Sequence, residues 1–68
     1  MKLTKIFLNG QEREIEAESL LELLHELELP LSHVLVELNG VALFRSELEK
    51  ADLKAGDRVE ILKVVAGG

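Results

Sequence analysis

Residues 3–30 decide the fold, and they read LTKIFLNGQEREIEAESLLELLHELELP. The first half holds two short strand patterns on either side of Asn9-Gly10, which is the strongest short signal for a two-residue hairpin turn. After the turn the side chains alternate, so that the second strand should have one wet, acidic face and lie at or near a sheet edge. Arg13, Ile15 and Ala17 are expected on one face, and Glu12, Glu14 and Glu16 on the other.

A helix pattern follows this hairpin. Ser19 and Glu22 have the spacing of a capping box, which marks a helix start. Leucines then recur at helical spacing and form one apolar stripe, made of Leu20, Leu23, Leu24 and Leu27. Pro30 is expected to end the helix, because the residue before a proline avoids helical backbone angles. A helix of about ten residues depends on packing such a stripe against a sheet.

The rest of the chain predicts three further strands. A second Asn-Gly turn, Asn39-Gly40, joins the first two of them. Ser46 and Glu49 suggest another capping box and a short helical turn before the last strand. The strands are expected at residues 34–38, 41–44 and 58–64.

The element order predicts an α+β roll, in which one main helix covers one face of a mixed sheet of about five strands. The first and last strands should pair in parallel at the centre, joined by a right-handed crossover. This is the β-grasp, or ubiquitin-like, arrangement. One such domain is expected over residues 1–64, with a flexible tail over residues 65–68.

Composition excludes several classes of function. A length of 68 residues allows one domain, and the absence of Cys excludes a disulfide scaffold, a thiolate zinc site and a cysteine nucleophile. A net charge of -5 disfavours nucleic acid and favours approach to a basic protein surface. Glu12, Glu14 and Glu16 are candidates for such a contact, although plain solvation explains them more simply.

Membrane insertion and secretion are also disfavoured by the sequence. No apolar run approaches the ~20 residues that cross a bilayer, and the first residues lack the apolar region of a secretory signal. A cytoplasmic, soluble monomer is therefore the expectation.

Few residues could carry catalysis. The histidines are His25 and His33, and neither has a nucleophile and an orienting acid at suitable spacing. Glu22 and His25 could share a patch that binds a stray metal, but two ligands rarely make a site. A solvated helix flank is the simpler interpretation, so no catalytic residue, metal site or bound cofactor is expected.

The most informative feature is the pair Gly67 and Gly68 at the end of the sequence. At about 7% average glycine usage, two terminal glycines occur by chance roughly once in two hundred sequences. Lacking Cβ atoms, they can pass through a channel too narrow for other side chains. They would deliver one free α-carboxylate, which another protein could activate with ATP. A frayed terminus or a cloning scar is the alternative interpretation.

The fold pattern and the tail together resemble the ThiS family, the bacterial sulfur carriers of thiamine thiazole synthesis. The resemblance covers nearly the whole chain. It departs from the family pattern near Leu48, where members commonly carry an aromatic residue, and near Phe44, where a proline is frequent. The segments that carry it are IFLNG at 6–10, LLELL at 20–24, VELNG at 36–40, RS at 45–46, LKAGDRVEI at 53–61 and VAGG at 65–68.

This resemblance implies a carrier cycle rather than an enzyme. A ThiF-type adenylyltransferase would use ATP to adenylate the Gly68 carboxylate. Sulfur from a cysteine desulfurase or another persulfide donor would replace AMP, and thiazole synthase would accept sulfur from the resulting thiocarboxylate. Gly67 would form a flexible neck, with Val65 and Ala66 as the anchor in the partner's channel. The remaining docking candidates, on the exposed face of the last strand, are Leu62 and Val64.

Other functions stay open at this point. The small subunit of molybdopterin synthase uses the same tail chemistry, but it tends to be longer, with aromatic residues and proline before the glycines, whereas residues 61–65 are ILKVV. Carriers for tRNA thiolation or sulfur amino-acid synthesis, and a ubiquitin-like tag linked to lysine, are further possibilities. From a different class, the chain could be a β-grasp binding module without covalent chemistry.

Overall fold

The computed structural model describes residues 2–64, which form five strands, two α-helices and one 3-10 helix. In chain order the elements are β1 (Thr4–Leu8), β2 (Gln11–Ile15), α1 (Leu20–Glu26), a 3-10 helix (Leu31–His33), β3 (Val34–Leu38), β4 (Val41–Ala42), α2 (Arg45–Leu48) and β5 (Arg58–Lys63). The fourth and fifth strands are therefore shorter than the sequence predicted.

The five strands form one mixed sheet in the order β2-β1-β5-β3-β4. β1 and β5 run parallel at its centre, where Leu8 lies opposite Val59. The other pairs, β1 with β2, β3 with β4 and β3 with β5, are antiparallel. This topology confirms the predicted α+β roll of the β-grasp type.

The core is aliphatic and lies between α1 and one face of the sheet. Leu20, Leu23 and Leu24 of the helix are at most 2% exposed, and Leu27 packs against them half-buried. On the sheet, side chains alternate between the two faces. The sequence left open which face of β1 is buried, and the structure buries Thr4, Ile6 and Leu8.

Both Asn-Gly turns also hold the last strand in place. All four of their residues have positive φ, as a type I′ turn requires. The Asn9 side-chain oxygen accepts the N–H of Ile61 at 2.7 Å, and the Asn39 side-chain oxygen accepts the N–H of Arg58 at 2.8 Å. The two asparagines therefore connect the hairpins to β5, which leads to the C-terminal tail.

Replacing Asn9 by Gly should lower the free energy of unfolding by about 1 kcal/mol, the usual net contribution of one hydrogen bond. Glycine accepts the positive φ of this turn, so the main loss is the acceptor for Ile61. In a domain of this size the loss corresponds to roughly 4–8 °C in thermal unfolding. The control is Asn9→Asp, which keeps an acceptor oxygen. An equal loss in both variants would contradict this role for the Asn9 side chain.

The first helix confirms its predicted start but not its predicted end. The Ser19 hydroxyl accepts the N–H of Glu22 at 3.2 Å. The helix ends at Glu26, well before Pro30, because Glu28 adopts a φ of 57°. The N–H of the following residue, Leu29, then bonds the carbonyl of Leu24 at 2.9 Å, which completes a Schellman motif. The prediction that Pro30 ends the helix is therefore wrong.

The second helix begins earlier than predicted. Its N-terminal residue is Arg45, preceded by Phe44 as the cap. The Glu47 carboxylate accepts the N–H of Phe44 at 2.8 Å. The predicted capping box of Ser46 and Glu49 was therefore placed two residues too late, although the short helical turn itself is confirmed.

Candidate functional site

The candidate site is the end of β5, which leads directly into the predicted functional tail. Val65, Ala66, Gly67 and Gly68 lie outside the described residues, and their roles stay predictions. The structure describes the chain as far as Val64, whose N–H donates to the carbonyl of His33 at 2.8 Å. The sheet therefore holds the backbone up to the residue before the tail.

The sheet face opposite α1 carries an exposed apolar patch next to this strand end. Leu62 of β5 lies opposite Leu35 of β3, and their exposed fractions are 65% and 61%. Together with Ala42 of β4 they line a shallow hollow, and we call these three residues the outer patch. Leucines that point away from the core onto one open face are typical of a surface that binds a partner. Val64 is exposed as well, although docking through it or Leu62 stays a prediction.

Charged side chains adjoin the outer patch. Glu37 of β3 and Glu60 of β5 lie directly opposite each other, and both line the same hollow. Like charges placed opposite each other in a sheet are unfavourable. A basic side chain of a partner would relieve this repulsion, so the surface combines an apolar centre with an acidic border.

The same sheet face becomes mixed in charge toward β1 and β2. Arg58 lies over the ring of Phe7, with its guanidinium carbon 5.6 Å from the ring centroid. The Lys5 Nζ is 3.6 Å from a carboxylate oxygen of Glu12. The cationic side chains in this part of the face already have partners within the chain, Arg58 with the Phe7 ring and Lys5 with Glu12. Glu60, in contrast, lies opposite another glutamate. The side chains of the remaining glutamates of this hairpin, Glu14 and Glu16, are exposed.

The structure does not bring together a metal site around Glu22 and His25. Both residues line a shallow surface hollow beside α1. The Glu22 carboxylate accepts the N–H of Glu18 at 2.8 Å, so it serves the helix start. Within residues 2–64, no group of three His, Cys, Asp or Glu side chains is placed to hold a metal ion. No helix in that range is long and apolar enough to cross a membrane.

Sequence reasoning did not identify Leu35 and Glu37 as parts of the site. Both lie on the outward face of β3, next to β5. The alternation of β3 places Leu35 on its outward face, and an apolar side chain at such a position was the signal that could have identified it. That Leu35 lies beside Leu62, a docking candidate already predicted on the last strand, could be found only from the register between strands that are far apart in sequence.

Known proteins are similar to this chain over nearly its whole length. The model of the ThiS family matches residues 6–68. The chain is 36% identical over 63 residues to the sulfur carrier protein ThiS of Thermus thermophilus, an alignment that covers 93% of this chain and 98% of the relative.

Solved structures agree with this match. The crystal structure of a thiamine biosynthesis protein (ThiS) from Geobacter metallireducens has a TM-score of 0.78 and 35% identity, covering 96% of this chain and 100% of that chain. An NMR solution structure of a thiamine biosynthesis protein from the same organism has a TM-score of 0.78 and 32% identity, covering 96% of this chain and 88% of that one. The family model and these relatives, all above 30% identity, span nearly the whole sequence. The chain therefore belongs to the ThiS family.

Proposed function

We propose that this chain carries sulfur for thiamine thiazole synthesis as a thiocarboxylate on Gly68. Membership of the ThiS family supports the role of a sulfur carrier in thiamine biosynthesis. The observation that carries the finer proposal is that the family match extends through residue 68 and so includes Gly67 and Gly68. The chain contains no Cys, which leaves no side-chain thiol on which sulfur could be carried.

The proposed cycle begins with activation of the C-terminus by a ThiF-type adenylyltransferase. A carboxylate oxygen of Gly68 attacks the α-phosphorus of ATP, pyrophosphate leaves, and an acyl-adenylate forms. The terminal sulfur of a cysteine persulfide, supplied by a cysteine desulfurase, then attacks the acyl carbon and AMP leaves. A second cysteine thiol, which a partner must supply because this chain has no Cys, attacks the donor cysteine's sulfur in the acyl disulfide. The two partner cysteines form a disulfide, and the thiocarboxylate on Gly68 is released. In this cycle the chain is a protein co-substrate, and ATP is bound by its partner.

The fold contributes a rigid body that presents the tail and a surface that positions it. β5 lies at the centre of the sheet, held by β1, β3 and the two asparagine side chains. The outer patch spans β3, β4 and β5, and its Leu62 lies on this same strand, close to the tail in sequence. A partner that binds the patch would therefore receive the tail at a fixed distance from its nucleotide.

Leu62→Ser is expected to weaken binding to the adenylyltransferase by about tenfold or more, since burying a leucine contributes about 1.5–3 kcal/mol. The side chain is 65% exposed in the free chain, so thermal unfolding should change little. Leu3→Ser is the matched control, because Leu3 is 54% exposed and precedes β1, away from the outer patch. Calorimetric titration measures both affinities. Equal affinities for the two variants would remove Leu62 from the docking surface.

The destination of the sulfur is tested by transfer from the loaded chain. The relatives named for thiamine biosynthesis favour thiazole synthase as the acceptor. The alternative acceptor is molybdopterin synthase, whose small subunit would use the same tail chemistry. Thiocarboxylate-loaded protein is offered separately to thiazole synthase and to the catalytic subunit of molybdopterin synthase. We expect sulfur loss only with thiazole synthase. Loss only with the molybdopterin enzyme would contradict the destination and leave the carrier chemistry in place.

A further inference from the structure

The last part of β5 has one edge without a neighbouring strand in the described part of the chain. β1 pairs with β5 only as far as Leu8, opposite Val59, and the chain then turns away at Asn9-Gly10 into β2. The next backbone N–H of β5 on this edge belongs to Ile61, and the Asn9 side-chain oxygen accepts it at 2.7 Å. On the other edge, β3 remains paired with β5 as far as Lys63.

The hydrogen-bond pattern shows which backbone groups face this open edge. The backbone N–H of Asn39 donates to the carbonyl of Arg58, and the backbone N–H of Val64 donates to the carbonyl of His33, both at 2.8 Å. In an antiparallel pair, alternate residues bond to the partner strand, so Ile61 and Lys63 direct their backbone groups away from β3. Within residues 2–64, no strand pairs with β5 on that side beyond Val59. Such an edge can accept an additional strand.

A hollow of about 270 Å³ lies beside the open edge. Leu27 and Leu29, from the turn that follows α1, line it together with Ile61. Its charged lining residues are Arg13 and Lys63. Among the described residues no carboxylate lines it, although the chain has 13 acidic against 8 basic residues. The volume falls below the roughly 300 Å³ at which small-molecule pockets begin, and an apolar side chain with acidic neighbours suits it better.

We propose that the adenylyltransferase adds an extended, acidic segment to the open edge of β5, with one apolar side chain in the hollow and carboxylates beside Arg13 and Lys63. The identity of this partner rests on the proposed function. The edge immediately precedes Val64 and the tail, so an added strand would fix the direction in which the tail enters the partner. Glu37 and Glu60, beside the outer patch, favour basic groups of a partner, whereas Arg13 and Lys63 at the open edge favour acidic ones. Two contacts of opposite sign on neighbouring surfaces would specify a single docking orientation.

Amide hydrogen exchange at Lys63 tests the added strand directly. In the isotope-labelled chain this amide should exchange at least about tenfold more slowly once the adenylyltransferase is bound, because a strand now accepts its hydrogen bond. The Val64 amide is the internal reference, since it already bonds the His33 carbonyl in the free chain. An unchanged Lys63 amide in a complex that forms would overturn the proposal.

The same experiment separates the other possible occupants of the edge. Slow Lys63 exchange in the free chain that strengthens with protein concentration would assign the edge to a second copy. Slow exchange that is lost when residues 65–68 are deleted would assign it to the chain's own tail. Either result overturns the proposal.

Matched charge variants test the acidic character of the added segment. Arg13→Glu and Lys63→Glu should each weaken binding to the adenylyltransferase by about tenfold or more. Lys50→Glu makes the same charge change at an exposed residue outside the hollow and should have an effect below about twofold. Equal effects at Lys50 and Lys63 would overturn the proposal.

A backbone variant tests the edge itself. Lys63→Pro removes an N–H that faces away from β3, so the ladder between β3 and β5 keeps its hydrogen bonds while strand addition is blocked. We expect weaker binding than for Lys63→Ala, which removes the charge but keeps the N–H. Equal affinities for Lys63→Pro and Lys63→Ala would overturn strand addition. Sulfur loading of the unmodified chain is measured in parallel, and binding without loading contradicts only the proposed function.

Discussion

Removal of Gly68, or replacement of Gly67 by Val, is expected to abolish sulfur loading while leaving thermal unfolding nearly unchanged. Without Gly68 the terminal carboxylate would stop one residue short, about 3.3–3.6 Å, of the position in which it meets the nucleotide. Val at position 67 adds a stiff β-branched side chain, which a channel suited to glycine would reject. Among residues 2–64 the buried core cluster runs from Ile6 to Val59. Glycine has no side chain beyond hydrogen, so removing Gly68 or replacing Gly67 takes no apolar side chain away.

Two readouts on the same samples test this prediction. Intact mass after incubation with the adenylyltransferase, ATP and a sulfur donor reports loading, and a thermal scan reports stability. Lys50→Ala, at an exposed residue after α2, serves as a control that should load normally. Full loading of either tail variant would contradict the proposed role of the glycines, and a large fall in the unfolding temperature would make the tail part of the fold.

Leu24→Ala should lower the free energy of unfolding by roughly 2–5 kcal/mol, the range for large cavities in protein cores. Leu24 is 2% exposed and belongs to the leucine stripe that closes the core. The loss is a large share of the stability of a folded domain, which is about 5–15 kcal/mol. Chemical denaturation measures the loss as a lower denaturant concentration at the unfolding midpoint.

The control for this prediction is Leu21→Ala on the same helix. Leu21 is 39% exposed, so its truncation leaves a smaller cavity and should cost well under half as much. Both variants change the same residue type within α1, so their helix propensities cancel in the comparison. Similar losses for Leu21 and Leu24 would contradict the assignment of the stripe that faces the sheet.

The features predicted best from the sequence are those that repeat at a fixed period, together with the two Asn-Gly turns and the Ser19 helix start, which have short local signals. The leucine stripe of α1 and the alternation of Val34 and Val36 in β3 each place apolar groups on one face, which burial confirms. Helix ends were predicted less well because they depend on single residues in unusual conformations. Glu28 ends α1 with a positive φ that a non-glycine residue rarely adopts, and the nearby Pro30 was the stronger local signal.

The site could be predicted only where it is local in sequence. The resemblance and the glycine pair pointed to the tail, and the family match now includes both. The contacts that surround β5 depend on where β1 stops relative to it. The hydrogen bond from Ile61 to Asn9, for example, joins residues 52 positions apart. No local pattern specifies such a register, so the open edge of β5 became visible only in the folded chain.

Formation of a thiocarboxylate at Gly68 is the central claim, and intact-mass spectrometry tests it most directly. The purified chain is incubated with a ThiF-type adenylyltransferase, ATP, a cysteine desulfurase and cysteine. The predicted result is a mass gain equal to the exchange of one oxygen for one sulfur, located at Gly68 by fragmentation and absent when ATP is omitted. An unchanged intact mass, with an adenylyltransferase proven active on its own carrier, would contradict it.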